Sequence, residues 1–290
     1  MQLVRVLAAV VAFSALLAGR LAVADTVVVT PSNMNGWTLN SFDPDGNIVN
    51  SGNYFGTAAM ATGPATPPLG VGSAHLATPV GFGAGGAAIA TLSYDGTLLS
   101  SITSLSYSTY DVTNNGQQFP YLGIKINTND PNPNHASTDT LFFEPPYQQP
   151  STGNSALPDQ GPTVQDQWQS WNALVGGFWD NNGLATPGTG VEPLSFFLAP
   201  TAYPLATIAQ GSHPGLGGIA MRVGFGSDGE TEDGSVDAFT IGVADVNTTY
   251  DFEPDTAAVP EPSRIIALAG LGGMALIGLA WRLRRPAVTA

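Results

Sequence analysis

The sequence predicts an all-β fold of two stacked sheets, on three observations. Residues 25–253 read as short apolar stretches broken by clusters of Gly, Pro, Asn, Asp and Ser, the pattern of strands separated by turns. Two stretches alternate cleanly: in residues 120–127, Leu122, Ile124 and Ile126 share one face and Tyr121, Lys125 and Asn127 the other. In residues 218–225, Ile219, Met221, Val223 and Phe225 share a face and leave Arg222 outside. Finally, 35 Gly and 23 Pro among 290 residues argue against long helices, while 43% hydrophobic residues and no period-three glycine argue against disorder and collagen.

In chain order the strand candidates are residues 26–30, 37–40, 72–78, 87–93, 102–111, 120–127, 138–144, 168–173, 218–225, 235–243 and 248–253. One short helix is expected at residues 194–199, entered through Glu192 and Pro193 and limited by Pro200 and Pro204. The polar passages 128–137 and 147–166 read as surface loops, and no internal repeat occurs.

Charge excludes one class of partner outright. Eight Lys and Arg stand against 22 Asp and Glu, a net charge of −14, which opposes any grip on a nucleic-acid backbone. The absence of cysteine removes disulfides, thiolate metal sites and cysteine nucleophiles together. Lys125 and Arg222 are the only cationic Lys or Arg side chains between Asp25 and Ala258, a stretch that holds every acid except Glu261. They are either two unrelated surface charges or a pair on one sheet face able to meet carboxylates or an anionic polysaccharide.

The two ends carry targeting signals. Residues 1–24 have Arg5 in a short n-region, an apolar run and Ala22-Val23-Ala24 before Asp25, the layout of a cleaved secretory signal peptide. Residues 265–281 (IIALAGLGGMALIGLAW) carry no charge and make a transmembrane-helix candidate, with Arg282, Arg284 and Arg285 as its cytoplasmic stop. Both signals place residues 25–258 outside the inner membrane. Ahead of the span stand Val259, Pro260, Glu261, Pro262 and Ser263, where two prolines hold the chain extended and accessible.

The order of Pro-Glu-Pro motif, hydrophobic helix and terminal arginines, over residues 259–286, resembles the PEP-CTERM sorting signal of exported Gram-negative proteins. The resemblance implies a transient partner, a membrane-embedded exosortase, that recognises Pro260, Glu261 and Pro262 and cuts nearby. It also implies that the ectodomain passes to the cell surface or extracellular matrix of an exopolysaccharide-producing, biofilm-forming bacterium. The ectodomain itself resembles jelly-roll sandwiches of the carbohydrate-binding and concanavalin-like kind, through Gly36-Trp37, residues 72–76 (GSAHL) and residues 234–242 (GSVDAFTIG). The fold class expected is therefore a jelly-roll-like β-sandwich with one short helix and a C-terminal transmembrane helix.

Candidate chemistry is sparse. A glycosidase would need two carboxylates about 5 Å or roughly 6.5–9.5 Å apart, and no acidic pair within one strand suggests it. Glu144, ending an aromatic strand, is the best single acid, weighed against a strand-end carboxylate bonded to loop amides. His75, His135 and His213 have no zinc spacing, and no G-x-S-x-G elbow occurs. No cofactor is expected, with calcium the one open candidate. Asp43, Asp45 and Asn47 alternate around a glycine turn, against an ordinary hairpin turn. The acidic loop 227–234 stands against a solvated turn. Asp237 has the parity of Phe239, Ile241 and Val243, so a carboxylate begins an inward row and calls for hydrogen bonds or calcium. For sugars, Trp168, Trp171 and Trp179 offer flat rings, each weighed against core packing. Trp168 and Trp171 face opposite sides of one strand, and Tyr107, Tyr110, Tyr121 and Tyr147 are further candidate rings.

The expected function is thus an exported, non-catalytic surface or biofilm-matrix protein. A carbohydrate-binding module for exopolysaccharide is the alternative, and a glycan-active enzyme the third reading.

Overall fold

The computed structural model describes residues 25–43, 47–49, 56–78, 85–113, 118–130, 136–210, 217–224 and 231–255. The signal peptide, the Pro-Glu-Pro motif, residues 265–281 and the terminal arginines lie outside them. So do Asp45, His135, His213 and Phe225. Among the described residues no helix is long and apolar enough to cross a membrane. The chain divides after Pro254 into two units, and every described strand belongs to the first.

The described strands are, in chain order, β1 (Asp25–Val29), β2 (Trp37–Phe42), β3 (Thr57–Thr62), β4 (Gly72–Ala77), β5 (Gly86–Thr91), β6 (Ile102–Thr113), β7 (Tyr121–Asn127) and β8 (Thr138–Phe143). They continue with β9 (Gln169–Asn172), β10 (Gly177–Asp180), β11 (Glu192–Pro193), β12 (Thr207–Ile208), β13 (Ile219–Gly224), β14 (Asp233–Val243) and β15 (Val246–Phe252). The short helix α1 (Leu194–Phe197) follows Pro193, which caps it rather than occupying its first turn. The all-β expectation holds, with strands at every expected place.

In the first sheet β14 is the axis. β6 pairs along one side of it, with β9 beyond. On the other side β4 pairs with Asp233 to Val236 and β15 with Phe239 to Val243, so two strands lie end to end against one. β3 extends the sheet past β4, and β1 runs parallel to β15. The second sheet runs β2-β5-β13-β7-β8-β10-β11, antiparallel throughout, with β12 on β7 where β13 ends.

Alternation dictates what lies between the sheets. Leu122, Ile124 and Ile126 of β7 and Ile219, Met221 and Val223 of β13 are buried in one core. Trp37 of the second sheet meets Phe239, Tyr250 and Phe252 of the first edge to face, at centroid distances of 5.4, 5.1 and 5.1 Å, the geometry that ring quadrupoles favour.

One inward residue of the sequence reading is not inward. The β14–β6 register shifts between Asp237 and Thr240, and Ala238 takes φ +53°. This bulge inserts a residue, so Val236 and Phe239, three apart, both enter the core. Asp237 therefore leaves the row of Phe239 and Ile241 and turns to the sheet's outer face, where it is still fully buried.

Candidate functional site

The outer face of the second sheet holds a cavity of about 530 Å³, within the range of small-molecule sites at ~300–1,000 Å³. Its floor follows from strand parity. Trp179 of β10 is paired with Phe142 of β8, Phe142 with Gly123 of β7, and Gly123 with Ala220 of β13. One step along the same face, Tyr121 of β7 is paired with Arg222 of β13, and Glu144 follows the end of β8.

Gly123 is what lets these two rows interlock. A Cβ at this position would come 3.0 Å from Cζ and Nη2 of Arg222, so the bare glycine leaves room for the guanidinium beside β7. There Arg222 lies 5.8 Å from the centre of the Phe142 ring, a cation–π arrangement. It also bonds with Tyr121, whose hydroxyl donates to Gly224 O at 3.2 Å. Phe142 and Trp179 stack at 4.3 Å with their planes 26° apart. Trp179 Nε1 donates to Glu144 Oε1 at 3.1 Å. Gln148 supports this wall from behind, donating to Glu144 O and Gly177 O and accepting from Gly177 N. The lining also includes Tyr147, Asn181 and Glu232, and Glu232 Oε2 accepts from Gly224 N at 3.3 Å.

The electrostatics follow from burial. Desolvation pushes the Glu144 carboxyl up to about 7, against the bond from Trp179 that favours its ionised form. Burial draws Arg222 below its ordinary range, opposed by Tyr121. Lys125 is also drawn down by burial, while Asp139 opposes this. With both carboxyls ionised the lining carries one cation and two anions. Its chemistry is that of stacking faces beside charged hydrogen-bonding groups.

Of the residues singled out from the sequence, the cavity brings together Trp179, Tyr121, Tyr147, Glu144 and Arg222. Lys125 shares the outer face with Arg222 but does not line the cavity. Arg222 is on the outward side of β13 as expected, yet it is only 5% exposed, because rings and loops close over it. The tryptophans separate. Trp171 is core, 1% exposed, with Nε1 donating to Thr109 Oγ1. Trp168 lies against Tyr110 at 5.6 Å and donates to Pro64 O, away from the cavity. Tyr107 is likewise core. Asp43 accepts from both the backbone and side-chain nitrogens of Asn47, the bonding of a local turn. His75 is held by Asp233 at 2.8 Å.

The sequence singles out neither Phe142 nor Gly123 as a site residue, and it offers Glu232 only within the acidic loop 227–234 as a calcium candidate, whereas the structure sets it in the cavity lining. Phe142 differs from Phe143 only by parity, and the pairing that sets Gly123 beside Arg222 is invisible without strand order. Compared with known protein families, curated proteins and solved structures, the chain matches none.

Proposed function

We propose that this chain is an exported, non-catalytic surface or matrix protein whose jelly-roll-like sandwich binds an uncharged glycan in the Trp179–Arg222 cavity. The carrying observation is the stacked Phe142–Trp179 pair beside a buried guanidinium and a carboxyl, all on one sheet face. Ring faces suit the apolar side of a pyranose, while Arg222 and Glu144 suit its hydroxyls. An uncharged sugar is favoured because Glu144 and Glu232 offset Arg222, leaving no net positive field for an acidic polymer. On this reading the signal peptide delivers the chain, residues 265–281 hold the precursor in the inner membrane, and an exosortase acts at Pro260-Glu261-Pro262.

The test is binding of the full chain to neutral and acidic polysaccharides across a salt series. Neutral-glycan binding that is insensitive to salt and lost in Trp179→Ala supports the reading; binding only to acidic polymer, weakening with salt, overturns the ligand class. Sorting is tested by intact mass of surface material from the native host. A tail still bearing residues 265–281 would sink it.

The catalytic reading rests on Glu144 and Glu232 lining one cavity, with Glu144 raised to about 7 as a general acid would be. Against it, Glu232 is only 2% exposed and engaged by Gly224 N, a poor position for a nucleophile or base. Release of reducing ends from a bound glycan, abolished in Glu144→Gln, would establish it.

A further inference from the structure

The connection from β3 to β4, residues 63–71, lies over the outer face of the first sheet and is held there by polar bonds. Gly63 N donates to Val71 O at 2.9 Å and closes its base. None of its residues belongs to the inter-sheet core, and Val71 is 51% exposed. What fastens it to the sheet is an indole and two carboxyls. Trp168 Nε1 donates to Pro64 O at 2.9 Å, and Leu69 N donates to Asp237 Oδ2 at 3.0 Å. Val71 N and Gly72 N donate to Glu253 Oε1 at 2.6 and 3.0 Å. Gly70, at φ +51°, marks the closest approach; a Cβ there would overlap Glu253 Oε1 and come 3.2 Å from Asp251 Oδ1. A segment with so little apolar burial opens at a free energy set by these few bonds.

Beneath the connection a third carboxyl joins the two. Asp251 and Glu253 alternate with Tyr250 and Phe252, which enter the core, so both point to the outer face, beside Asp237. All three are buried, at 0% for Asp237, 5% for Asp251 and 0% for Glu253. Asp237 and Glu253 accept backbone N–H groups, whereas the side chain of Asp251 bonds to the carboxyl of Glu253. Two carboxylates have no hydrogen to share, so this bond exists only while one of the pair is a carboxylic acid. Without the proton two negative charges meet away from water, next to Asp237. Burial, followed by the charge of Glu253, accordingly pushes the Asp251 carboxyl upward. The surrounding elements do not offset that charge. Residues 63–71 and β3 carry no titratable side chain. β1 sets Val28 beside Asp251 and has its one charge, Asp25, at the other end. β6 presents Tyr110, which packs on Trp168. His75 of β4 and Asp233 of β14 hold each other at 2.8 Å, and Asp255, two residues beyond Glu253, is another acid. The described Lys and Arg, Lys125 and Arg222, are on the second sheet.

We propose that residues 63–71 form a proton-latched strap, closed over the first sheet while Asp251 and Glu253 share a proton and lifting locally when that proton passes to solvent. The pair binds its proton more tightly with the strap closed than with the strap open, where both carboxyls meet water. Closure is therefore favoured at low pH and lost as pH rises. Lifting hands the N–H groups of Leu69, Val71 and Gly72 to water and releases Trp168 from Pro64, so the outer face of β14 and β15 is covered in acid and uncovered in base. The inference is independent of the glycan reading, which concerns the other sheet.

The experiment is amide hydrogen exchange of the full chain from pH 4 to pH 9, each rate divided by the intrinsic rate at that pH. β7 serves as the internal reference for global unfolding. Between pH 5 and pH 8 the protection of Leu69, Val71 and Gly72 should fall at least roughly tenfold further than that of β7, tenfold being the effect of one unit of pKa. Asp251→Asn supplies a permanent N–H donor to Glu253 in place of the proton, so its strap should stay in step with β7 at every pH. Glu253→Gln, whose carbonyl still accepts from Val71 N and Gly72 N, is the second variant and should behave alike. His75→Gln should keep the wild-type response. Strap protection that follows β7 throughout in the wild type would overturn the proposal. So would an unaltered pH response in both amide variants, or a response lost in His75→Gln.

Discussion

On the second sheet a buried cation lies among groups that suit it, whereas on the first sheet buried carboxyls lie under a loop that satisfies only some of their oxygens. Arg222 has the face of Phe142, the hydroxyl of Tyr121 and two carboxyl-bearing neighbours in the same cavity. Asp237 and Glu253 receive backbone N–H groups, but Asp251 Oδ1 and Glu253 Oε2 do not. Both faces bury charge, so burial alone does not mark a site. What separates them is what is left over. The second sheet leaves open space lined by ring faces and charged polar groups, which favours an organic ligand. The first leaves no such space: Asp251 and Glu253 hydrogen-bond each other beneath the loop, which requires a shared proton.

Tryptophans sharpen this contrast most. Trp171→Ala empties a position that is 1% exposed in the inter-sheet core and deletes the bond to Thr109, so a loss of ~3–5 kcal/mol in urea unfolding is expected. Trp179→Ala removes a half-buried ring on the outer face and should cost about 1 kcal/mol or less of stability. Its glycan affinity, however, should fall by at least roughly tenfold, as for a central aromatic contact. If Trp179→Ala is as unstable as Trp171→Ala and leaves glycan binding unchanged, Trp179 is packing and the comparison between core and face collapses.

Acidity tests both faces at once. Glu144 on the second sheet and Asp237 on the first are each pushed up to about 7 by burial. In the unfolded chain such carboxyls titrate at about 4. Between these values the folded state binds more protons than the unfolded one, so stability is greatest below about 4 and is lost as pH rises through about 7. In EDTA the melting temperature should therefore fall by several degrees from pH 4 to pH 8. Asp237→Asn should remove one part of that slope and Glu144→Gln another, nearly additively, because the groups sit on different sheets. A flat profile in EDTA would mean that solvent reaches both carboxyls.

Most of this frame was legible in the sequence because alternation is local. β7 and β13 announce themselves through Leu122, Ile124, Ile126, Ile219, Met221 and Val223, and the facing of Tyr121 and Arg222 follows from the same count. β3 escaped because TAAMAT has three alanines and little β-branched character, and β10 because GFWD is four residues set between glycine and an Asp-Asn-Asn-Gly turn. Asp237 was misfaced for a physical reason: parity counting assumes an unbroken ladder, and the bulge at Ala238 adds a residue. Glu144 and Trp179 were each legible as candidates, but their bond was not, since 35 positions separate them and only the β8–β10 pairing brings them together.

The smallest effect expected is at Gly123, and it isolates the role of Arg222. Gly123→Ala sets a Cβ at 3.0 Å from the guanidinium, closer than ordinary contact but against a side chain able to shift. Stability should drop by only about 1 kcal/mol, the low end of overpacking. The displaced guanidinium would move off the Phe142 ring and out of register with Tyr121, so glycan affinity should weaken several-fold, about 1 kcal/mol. An alanine that merely stiffens β7 would weaken binding equally whether or not the arginine is present. In an Arg222→Met background Gly123→Ala should instead leave affinity unchanged, which a double-mutant cycle by calorimetry reads directly. Equal losses in both backgrounds would show that the alanine acts through β7 itself and that Gly123 does not serve to place Arg222.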